Sequence, residues 1–219
     1  MSQFLIADDH PLFREALKGA LKSAFSELEV FESDNFDATL DLLKHHDELD
    51  LLLLDLHMPG NDDLYGLIRI REDYPDLPIA VVSGSEDIQV VSKVMAYGAM
   101  GFIPKSSSSA EIAQGISAVL EGDTWLPTKL KDQVAGLSDD DIGLAAQIAS
   151  LTPQQYRVLS YLHEGLLNKQ IAYELSISEA TVKAHITAIF RKLGVYNRTQ
   201  AVLIASKLQL EPQTQTQSN

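Results

Sequence analysis

Four apolar runs in the first half of the chain have the length of buried strands, and amphipathic stretches of helical length separate them. The runs are residues 4–7, 51–54, 79–82 and 101–104. Strands that alternate with helices predict a parallel, doubly wound α/β sheet with helices on both faces. A further helical pattern over residues 108–120 closes this first domain, and we place its boundary at residue 122.

Residues that carry chemistry lie where these runs end. Asp8 and Asp9 follow the first run, Asp55 the second, Ser83 the third and Lys105 the fourth. Because the carboxyl ends of parallel strands meet at one edge of the sheet, we expect these side chains to share one crevice. The pattern therefore predicts a site made of three carboxylates, a hydroxyl and an ammonium group.

This set of groups suits phosphoryl transfer to a carboxylate. Carboxylates and water are the ligands that Mg²⁺ prefers, and the ion can in turn hold the oxygens of a phosphoryl group. Asp55 is the predicted nucleophile and forms an acyl phosphate, while Mg²⁺ and Lys105 offset the charge of the transferring group. Ser83 is expected to donate a hydrogen bond to the product.

These strand-end residues resemble the receiver domain of bacterial two-component response regulators. The matching stretches are residues 7–10, 54–60, 82–84 and 101–105, and the resemblance extends over residues 1–122. It implies a flavodoxin-like fold with a five-stranded parallel sheet, phosphorylation of Asp55 and a bound Mg²⁺ ion. The implied metal ligands are Asp8, Asp9, Asp55 and the backbone carbonyl of His57, and the implied switch residues are Ser83, Phe102 and Lys105.

Each of these residues also has a simpler interpretation when taken alone. An Asp-Asp pair after a strand is usually a turn or a helix cap, and a lysine after a proline is usually solvated. The side chains of His10 and His57 are not predicted to bind metal, because no second histidine or cysteine lies at ligand spacing. Asp63 stands where the family usually has glycine, so we expect a strained left-handed backbone there.

Charge divides the 219-residue chain into two parts. Residues 1–126 hold 8 basic and 23 acidic residues, whereas residues 151–219 hold 7 basic and 4 acidic ones. The acidic part disfavours close approach to DNA, and the basic part permits it. Between and beyond them we predict a linker, residues 123–147, and a disordered tail, residues 211–219.

The composition also bears on location. The chain has no cysteine, no apolar run long enough to cross a membrane and no secretory signal pattern. We therefore expect a cytoplasmic protein without a membrane partner.

The last part of the chain has the pattern of four short helices. Thr152 and Pro153 predict the start of the first helix. Asn168 is expected to cap a second helix, and after a short turn a third, longer helix runs from Glu179 until Gly194 stops it. Two helices joined by a short turn predict a helix-turn-helix whose second helix enters the major groove of DNA.

Residues 168–172, 181–185 and 191–195 resemble the LuxR-type DNA-binding domain, a small all-α helix-turn-helix fold, and the resemblance extends over residues 148–210. A receiver joined to such a domain makes the chain similar to NarL/FixJ-type response regulators. The implied DNA-contacting residues are Asn168, Lys169, Thr181, Lys183, Ala184, His185 and Thr187, and the implied dimerisation residues are Val202, Ile204 and Ala205. Any one of the former is equally well a solvated helix residue, and Val202 and Ile204 are equally well core residues of the domain itself.

The resemblance also implies partners, namely a cognate sensor histidine kinase, promoter DNA, RNA polymerase and, after phosphorylation, a second copy of the chain.

Two other classes of protein fit the sequence less well. Aspartate-dependent phosphatases and dehalogenases carry their nucleophile after the first strand and an acid two residues later, where this chain has His57. A degenerate receiver that only binds partners predicts a missing acidic pair or acceptor, and none is missing. We therefore expect a regulator rather than an enzyme.

Overall fold

A parallel sheet of five strands, in the order β2-β1-β3-β4-β5, forms the centre of the first part of the chain in this computed structural model. Its strands are β1 (Ser2–Ala7), β2 (Leu28–Ser33), β3 (Leu51–Asp55), β4 (Ile79–Ser83) and β5 (Gly101–Pro104). The structure describes residues 1–61, 64–131, 144, 147–148 and 150–208. The backbone expected at Asp63, most of the predicted linker and the predicted tail therefore lie outside the described residues.

Helices follow the strands in regular alternation. They are α1 (Pro11–Ala24), α2 (Phe36–His45), α3 (Tyr65–Asp73), α4 (Ile88–Ala96), α5 (Ser109–Leu120) and the short α6 (Thr128–Lys131). The chain divides into two compact units, Met1–Ile142 and Gly143–Asn219, and each is described by itself below. The predicted doubly wound α/β sheet is confirmed for the first unit.

The core of this unit is built from the apolar strand residues, whose side chains alternate between the two faces of the sheet. On one face the strands pack against α1 and α5, and this cluster contains Phe4, Ile6, Leu17, Leu21, Leu51, Leu53, Ala80, Val82, Ile103, Ile112, Ile116, Val119 and Trp125. The residues between them, such as Leu5, Leu52 and Phe102, are also fully buried. Burial on both faces explains why four of the strands read as continuous apolar runs.

Strand β2 is the one that apolar runs do not reveal. It lies at the edge of the sheet and pairs with β1 alone, with Val30 opposite Phe4. Its residues are half-buried or exposed until Ser33, which is buried. Because Glu29 and Glu32 interrupt its apolar residues, the segment lacks the continuous apolar run that the other four strands carry.

The chain continues to pack on the sheet after α5. The Trp125 N–H donates to Met100 O at 2.8 Å, and Trp125 O accepts from the Phe102 N–H at 3.1 Å. The indole fills the space beside Gly115, where a Cβ atom would lie 2.9 Å from the ring. On α6 the Lys129 ammonium forms an ion pair with Glu86, whose carboxylate also accepts from Ser106 Oγ. The segment through residue 131 is thus attached to the first unit.

The second unit contains α7 (Pro153–His163), α8 (Asn168–Glu174), α9 (Glu179–Leu193) and α10 (Arg198–Leu208). Thr152 caps α7 as predicted, since its hydroxyl accepts from the Gln155 N–H and the Gln155 side chain accepts from the Thr152 N–H. Gly194 ends α9 with a φ of 65°, a left-handed conformation that glycine adopts at little cost. The predicted helix-turn-helix is therefore confirmed as a fold.

One predicted cap is wrong. Leu167, not Asn168, occupies the cap position of α8, and Asn168 is the first helical residue. Leucine has no side-chain acceptor, so only the return bond of a capping box remains, from the Leu167 N–H to Gln170 Oε1 at 2.7 Å.

The last helix is held to the first one of this unit by Arg198, whose Nη2 donates to Leu166 O at 2.7 Å and to Leu162 O at 3.3 Å.

None of the helices in the described part of the chain combines the length and the apolar character that a membrane span needs.

Candidate functional site

The ends of β1 and β3 bring Asp8 and Asp55 together at the point where the strand order reverses. Both residues are only 1% exposed, and Asp9 beside them is half-buried. Carboxylate oxygens of these three residues and a ring nitrogen of His10 all lie within 4.8 Å of one another. The structure thus assembles the three carboxylates that the sequence analysis placed in one crevice.

Lys105 reaches this cluster from the end of β5. Its Nζ lies 2.6 Å from Asp8 Oδ2 and 2.8 Å from Asp55 Oδ2, and the Phe13 ring lies nearby with its centroid 5.1 Å from Nζ. Burial lowers the pKa of the ammonium, but the bonds to Asp55 and Asp8 raise it by more, so the net shift is upward. Lys105 is therefore charged at neutral pH and offsets part of the acidic charge.

Ser83 and Phe102 are the other two implied switch residues, and both lie on neighbouring strands of the sheet. Ser83 is fully buried, and its Oγ accepts from the Ser85 N–H at 3.1 Å. Its backbone carbonyl accepts from the Lys105 N–H at 2.7 Å, which links the ends of β4 and β5. Phe102 is fully buried on β5 opposite Val81. Among the described residues, no hydrogen bond joins the Ser83 hydroxyl to Asp55.

Two residues after β3 hold the acceptor in place. The His57 N–H donates to Asp55 Oδ1 at 3.1 Å, and Asn61 Nδ2 donates to Asp55 O at 3.1 Å. Asn61 is buried, and its Oδ1 has no hydrogen-bond partner among the described residues. A Cβ atom on Gly66 would lie 2.0 Å from that oxygen. The sequence analysis missed Asn61, because nothing in the local pattern shows that a polar residue of this loop is buried.

Two residues around the start of α1 also contact this cluster. Arg14 Nη1 donates to Asp8 O at 2.5 Å and Nε to Glu32 at 3.4 Å. The His10 ring Nδ1 lies 3.1 Å from Asp8 Oδ1 and 2.7 Å from Asp9 Oδ1. The sequence analysis did not assign the His10 side chain to the metal, and the structure places its ring beside the carboxylates that were assigned.

The predicted DNA-contacting residues lie at the N-terminal ends of α8 and α9. Lys183 Nζ is 3.3 Å from Glu179 Oε1, and both side chains are largely exposed, so this pair is weak and leaves the lysine free to exchange partners. Thr187 Oγ1 donates to Lys183 O within the helix. The exposed members of the predicted set are Lys169, Thr181, Lys183, Ala184 and Thr187, and the half-buried ones are Asn168 and His185.

The predicted dimerisation residues on α10 differ in exposure. Val202 and Ile204 are half-buried, whereas Ala205 is 4% exposed and packs within its own unit. Leu203, which the sequence analysis passed over, is 61% exposed on the same helix. Any partner that contacts α10 therefore meets Leu203 more readily than Ala205.

Family models match both units of the chain. The response regulator receiver domain matches residues 4–117, and the luxR family of bacterial regulatory proteins matches residues 149–205. The chain belongs to the NarL/FixJ-type response regulators. This regulator is thus a receiver joined to a LuxR-type DNA-binding domain, as the sequence analysis expected.

Relatives of this response regulator match it over nearly the whole chain. It is 44% identical to the glycerol metabolism activator of Pseudomonas putida, with 95% of this chain and 96% of that one covered. It is 32% identical to the probable transcriptional regulatory protein NarL of Mycobacterium tuberculosis, with 94% of each covered. A solved structure of the RcsB response regulator of Salmonella typhimurium is 25% identical and has a TM-score of 0.56, with 94% and 98% covered.

Receiver domains bind Mg²⁺ at an acidic cluster, and Asp8, Asp9 and Asp55 form such a group in this response regulator. The residues fit a cation on two grounds. Oxygens of the three carboxylates lie within 4.8 Å of one another, and the Lys105 ammonium already lies between Asp8 and Asp55, so the cluster holds a positive group.

Proposed function

We propose that this response regulator is a transcription factor controlled by phosphorylation of Asp55, and that a sensor histidine kinase supplies the phosphoryl group. One observation carries the proposal: the buried carboxylate of Asp55 ends a central strand, 2.8 Å from a lysine ammonium and within 4.8 Å of the acidic pair. A carboxylate fixed between a cation and a metal-binding pair is suited to attack phosphorus.

The two oxygens of Asp55 have separate partners. Oδ1 accepts from the His57 N–H, and Oδ2 faces Lys105. We assign the metal to Asp8, Asp9, Asp55 and the His57 carbonyl, where Mg²⁺, when bound, neutralises charge on the phosphoryl oxygens. Lys105 holds Oδ2 before the reaction and offsets the charge that remains after it.

Ser83 is the proposed sensor of the product. Its Oγ uses a lone pair to accept from the Ser85 N–H, which leaves the hydroxyl proton for a phosphoryl oxygen. Phosphorylation adds about −1.5 to −2 charges at Asp55, and this change recruits both Ser83 and Lys105. Phe102 is already buried on β5, three residues before Lys105, and we assign it the role of changing its packing when Ser83 and Lys105 move.

The second unit carries the output. We propose that α9 enters the major groove of promoter DNA, with Lys169, Thr181, Lys183 and His185 at the backbone and base edges and the small Ala184 and Thr187 facing thymine methyl groups. The phosphorylated chain binds as a homodimer and contacts RNA polymerase in the cytoplasm. Since the 44% identical relative is named an activator of glycerol metabolism, we propose activation as the outcome.

Phosphorylation of the full chain by acetyl phosphate with Mg²⁺ tests the site. The expected result is a single phosphoryl adduct by intact mass, present in the parent and in the control Asp41→Asn, an exposed position on α2. Asp55→Asn should carry none. A full adduct on Asp55→Asn refutes the assignment of the acceptor.

Binding of the full chain to a duplex that contains two half-sites tests the output. Phosphorylation should tighten binding despite the added negative charge, because pairing two weakly binding units raises their effective concentration. Sedimentation should show dimers in the phosphorylated parent and fewer in Lys105→Ala. Equal affinity with and without the phosphoryl group contradicts the regulatory part of the proposal.

A further inference from the structure

His10 is the only group in the acidic cluster that is neither an oxygen ligand nor a permanent cation among the described residues. Its backbone N–H donates to Asp8 Oδ1 at 2.7 Å, which fixes the residue at the start of α1. The ring is 61% exposed and reaches the carboxylates from the solvent side. An ion that enters the crevice therefore meets the imidazole as well as the three carboxylates.

The distances around the ring suit a small ion. Nδ1 lies 3.1 Å from Asp8 Oδ1, 2.7 Å from Asp9 Oδ1 and 3.8 Å from Asp55 Oδ2. Two ligands on a tetrahedral ion with bonds of about 2.0–2.1 Å are roughly 3.3 Å apart. The three distances from Nδ1 lie on both sides of that value, and all four ligand atoms lie within 4.8 Å of one another, so side-chain movements can bring them onto one centre.

A cation already uses the same atoms. The Lys105 ammonium lies 2.6 Å from Asp8 Oδ2, 2.8 Å from Asp55 Oδ2 and 3.2 Å from His10 Nδ1. One positive group is thus held by two carboxylates and faces the imidazole. Asp8 Oδ2 is paired with this ammonium and Asp9 Oδ1 with the imidazole, so both oxygens become ligands for a more highly charged ion once that ion displaces Lys105.

We propose that His10 supplies Nδ1 as a fourth protein ligand, so that this receiver site binds Zn²⁺ in competition with Mg²⁺. Imidazole nitrogen is a ligand for zinc and related transition metals, whereas Mg²⁺ selects oxygen and water. Binding of Zn²⁺ displaces the Lys105 ammonium from the carboxylates.

The expected effect of bound Zn²⁺ on the regulator rests on the proposed phosphorylation of Asp55. Zinc sites with four protein ligands are closed, whereas catalytic sites keep an open position. With Asp55 bound to the ion and no position left for a phosphoryl oxygen, Zn²⁺ blocks phosphorylation, and Mg²⁺, which keeps several waters, supports it. The site then makes the regulator sensitive to the ratio of the two metals.

Calorimetric titration of the full chain with Zn²⁺ and with Mg²⁺ tests the proposal directly. In His10→Asn the Zn²⁺ dissociation constant should rise at least about tenfold, while the Mg²⁺ constant stays unchanged. His45→Asn is the matched control, since this exposed histidine on α2 bonds only to its own helix at Asp41 O among the described contacts. It should bind both ions as the parent does.

Three results overturn the inference: equal Zn²⁺ affinity in His10→Asn and the parent, an equal loss in His45→Asn, or a parallel loss of Mg²⁺ affinity in both His10→Asn and a second variant, His10→Gln. Because the titration measures metal binding, its result does not depend on whether Asp55 is the phosphoryl acceptor. Phosphorylation of Asp55→Asn refutes the acceptor and leaves the zinc titration valid. If Zn²⁺ still inhibits formation of the phosphoryl adduct in His10→Asn, the proposed block of phosphorylation through His10 is refuted, while the binding result stands.

Discussion

Asn61 offers a sharp test of how the loop after β3 holds the acceptor. Its Nδ2 donates to Asp55 O at 3.1 Å, while its buried Oδ1 has no hydrogen-bond partner among the described residues. Asn61→Leu removes the bond, which costs about 0.5–1.5 kcal/mol, and leaves Asp55 O short of a donor. The same change removes the unpartnered Oδ1, whose burial costs about 1–3 kcal/mol. These effects oppose each other, so we expect the free energy of unfolding to change by less than about 1 kcal/mol.

Asn61→Asp has nearly the same shape and the opposite expectation. It removes the donor and places a carboxylate next to Asp55, in a buried position without a cation of its own, so unfolding should become easier by at least about 2 kcal/mol at neutral pH. Burial raises the pKa of the introduced carboxyl in the folded chain. The loss should therefore be absent below the unfolded pKa of about 3.9 and grow as pH rises towards the folded value.

Urea unfolding of the full chain, followed by fluorescence, measures both variants. The single tryptophan, Trp125, is buried in the first unit, so its emission reports the unfolding of that unit. The reasoning fails if Asn61→Asp and Asn61→Leu unfold at the same urea concentration at pH 7. It also fails if the two differ by the same amount at low pH.

Three further outcomes follow from the contacts described above. Gly66→Ala should destabilise the first unit by at least about 1–3 kcal/mol in urea, because its Cβ would lie 2.0 Å from Asn61 Oδ1 and 2.8 Å from the Phe36 ring. Thr152→Ala should lower the free energy of unfolding of the second unit by about 1 kcal/mol, and Thr152→Ser should restore it. Equal thermal unfolding of the parent and both variants would exclude the cap. Lys183→Ala should reduce the salt dependence of DNA binding by about one unit of slope, and an unchanged slope would remove this lysine from the phosphate contacts.

Strands β1, β3, β4 and β5 could be predicted because both of their faces are buried, which leaves a continuous apolar run with a chemically distinctive residue after each run. Strand β2 could not, since its partly exposed residues include Glu29 and Glu32, which interrupt the apolar run. Its existence followed only from the family resemblance. Burial, rather than strand propensity, therefore decided which strands could be recognised from the sequence.

The site shows a similar division. Asp8, Asp55 and Lys105 follow directly from strand ends and parallel topology. His10 and Asn61 do not, because their importance depends on where the chain turns after the strand and on which side chains surround them. The error at Asn168 has the same origin: a residue type that favours caps was preferred over the leucine that the local backbone places at the cap position.

Trp125 has a consequence for the exchange of modules between regulators. Receivers and DNA-binding units are attractive parts for fusion proteins, and the helical pattern suggests a cut just after Gly122. Such a cut would leave a cavity beside Gly115 and expose the edge of β5, where the indole and its backbone now pair. A transplant of this receiver therefore has to carry the chain through residue 131 with it, so the usable junction lies downstream of the point where the last large helix ends.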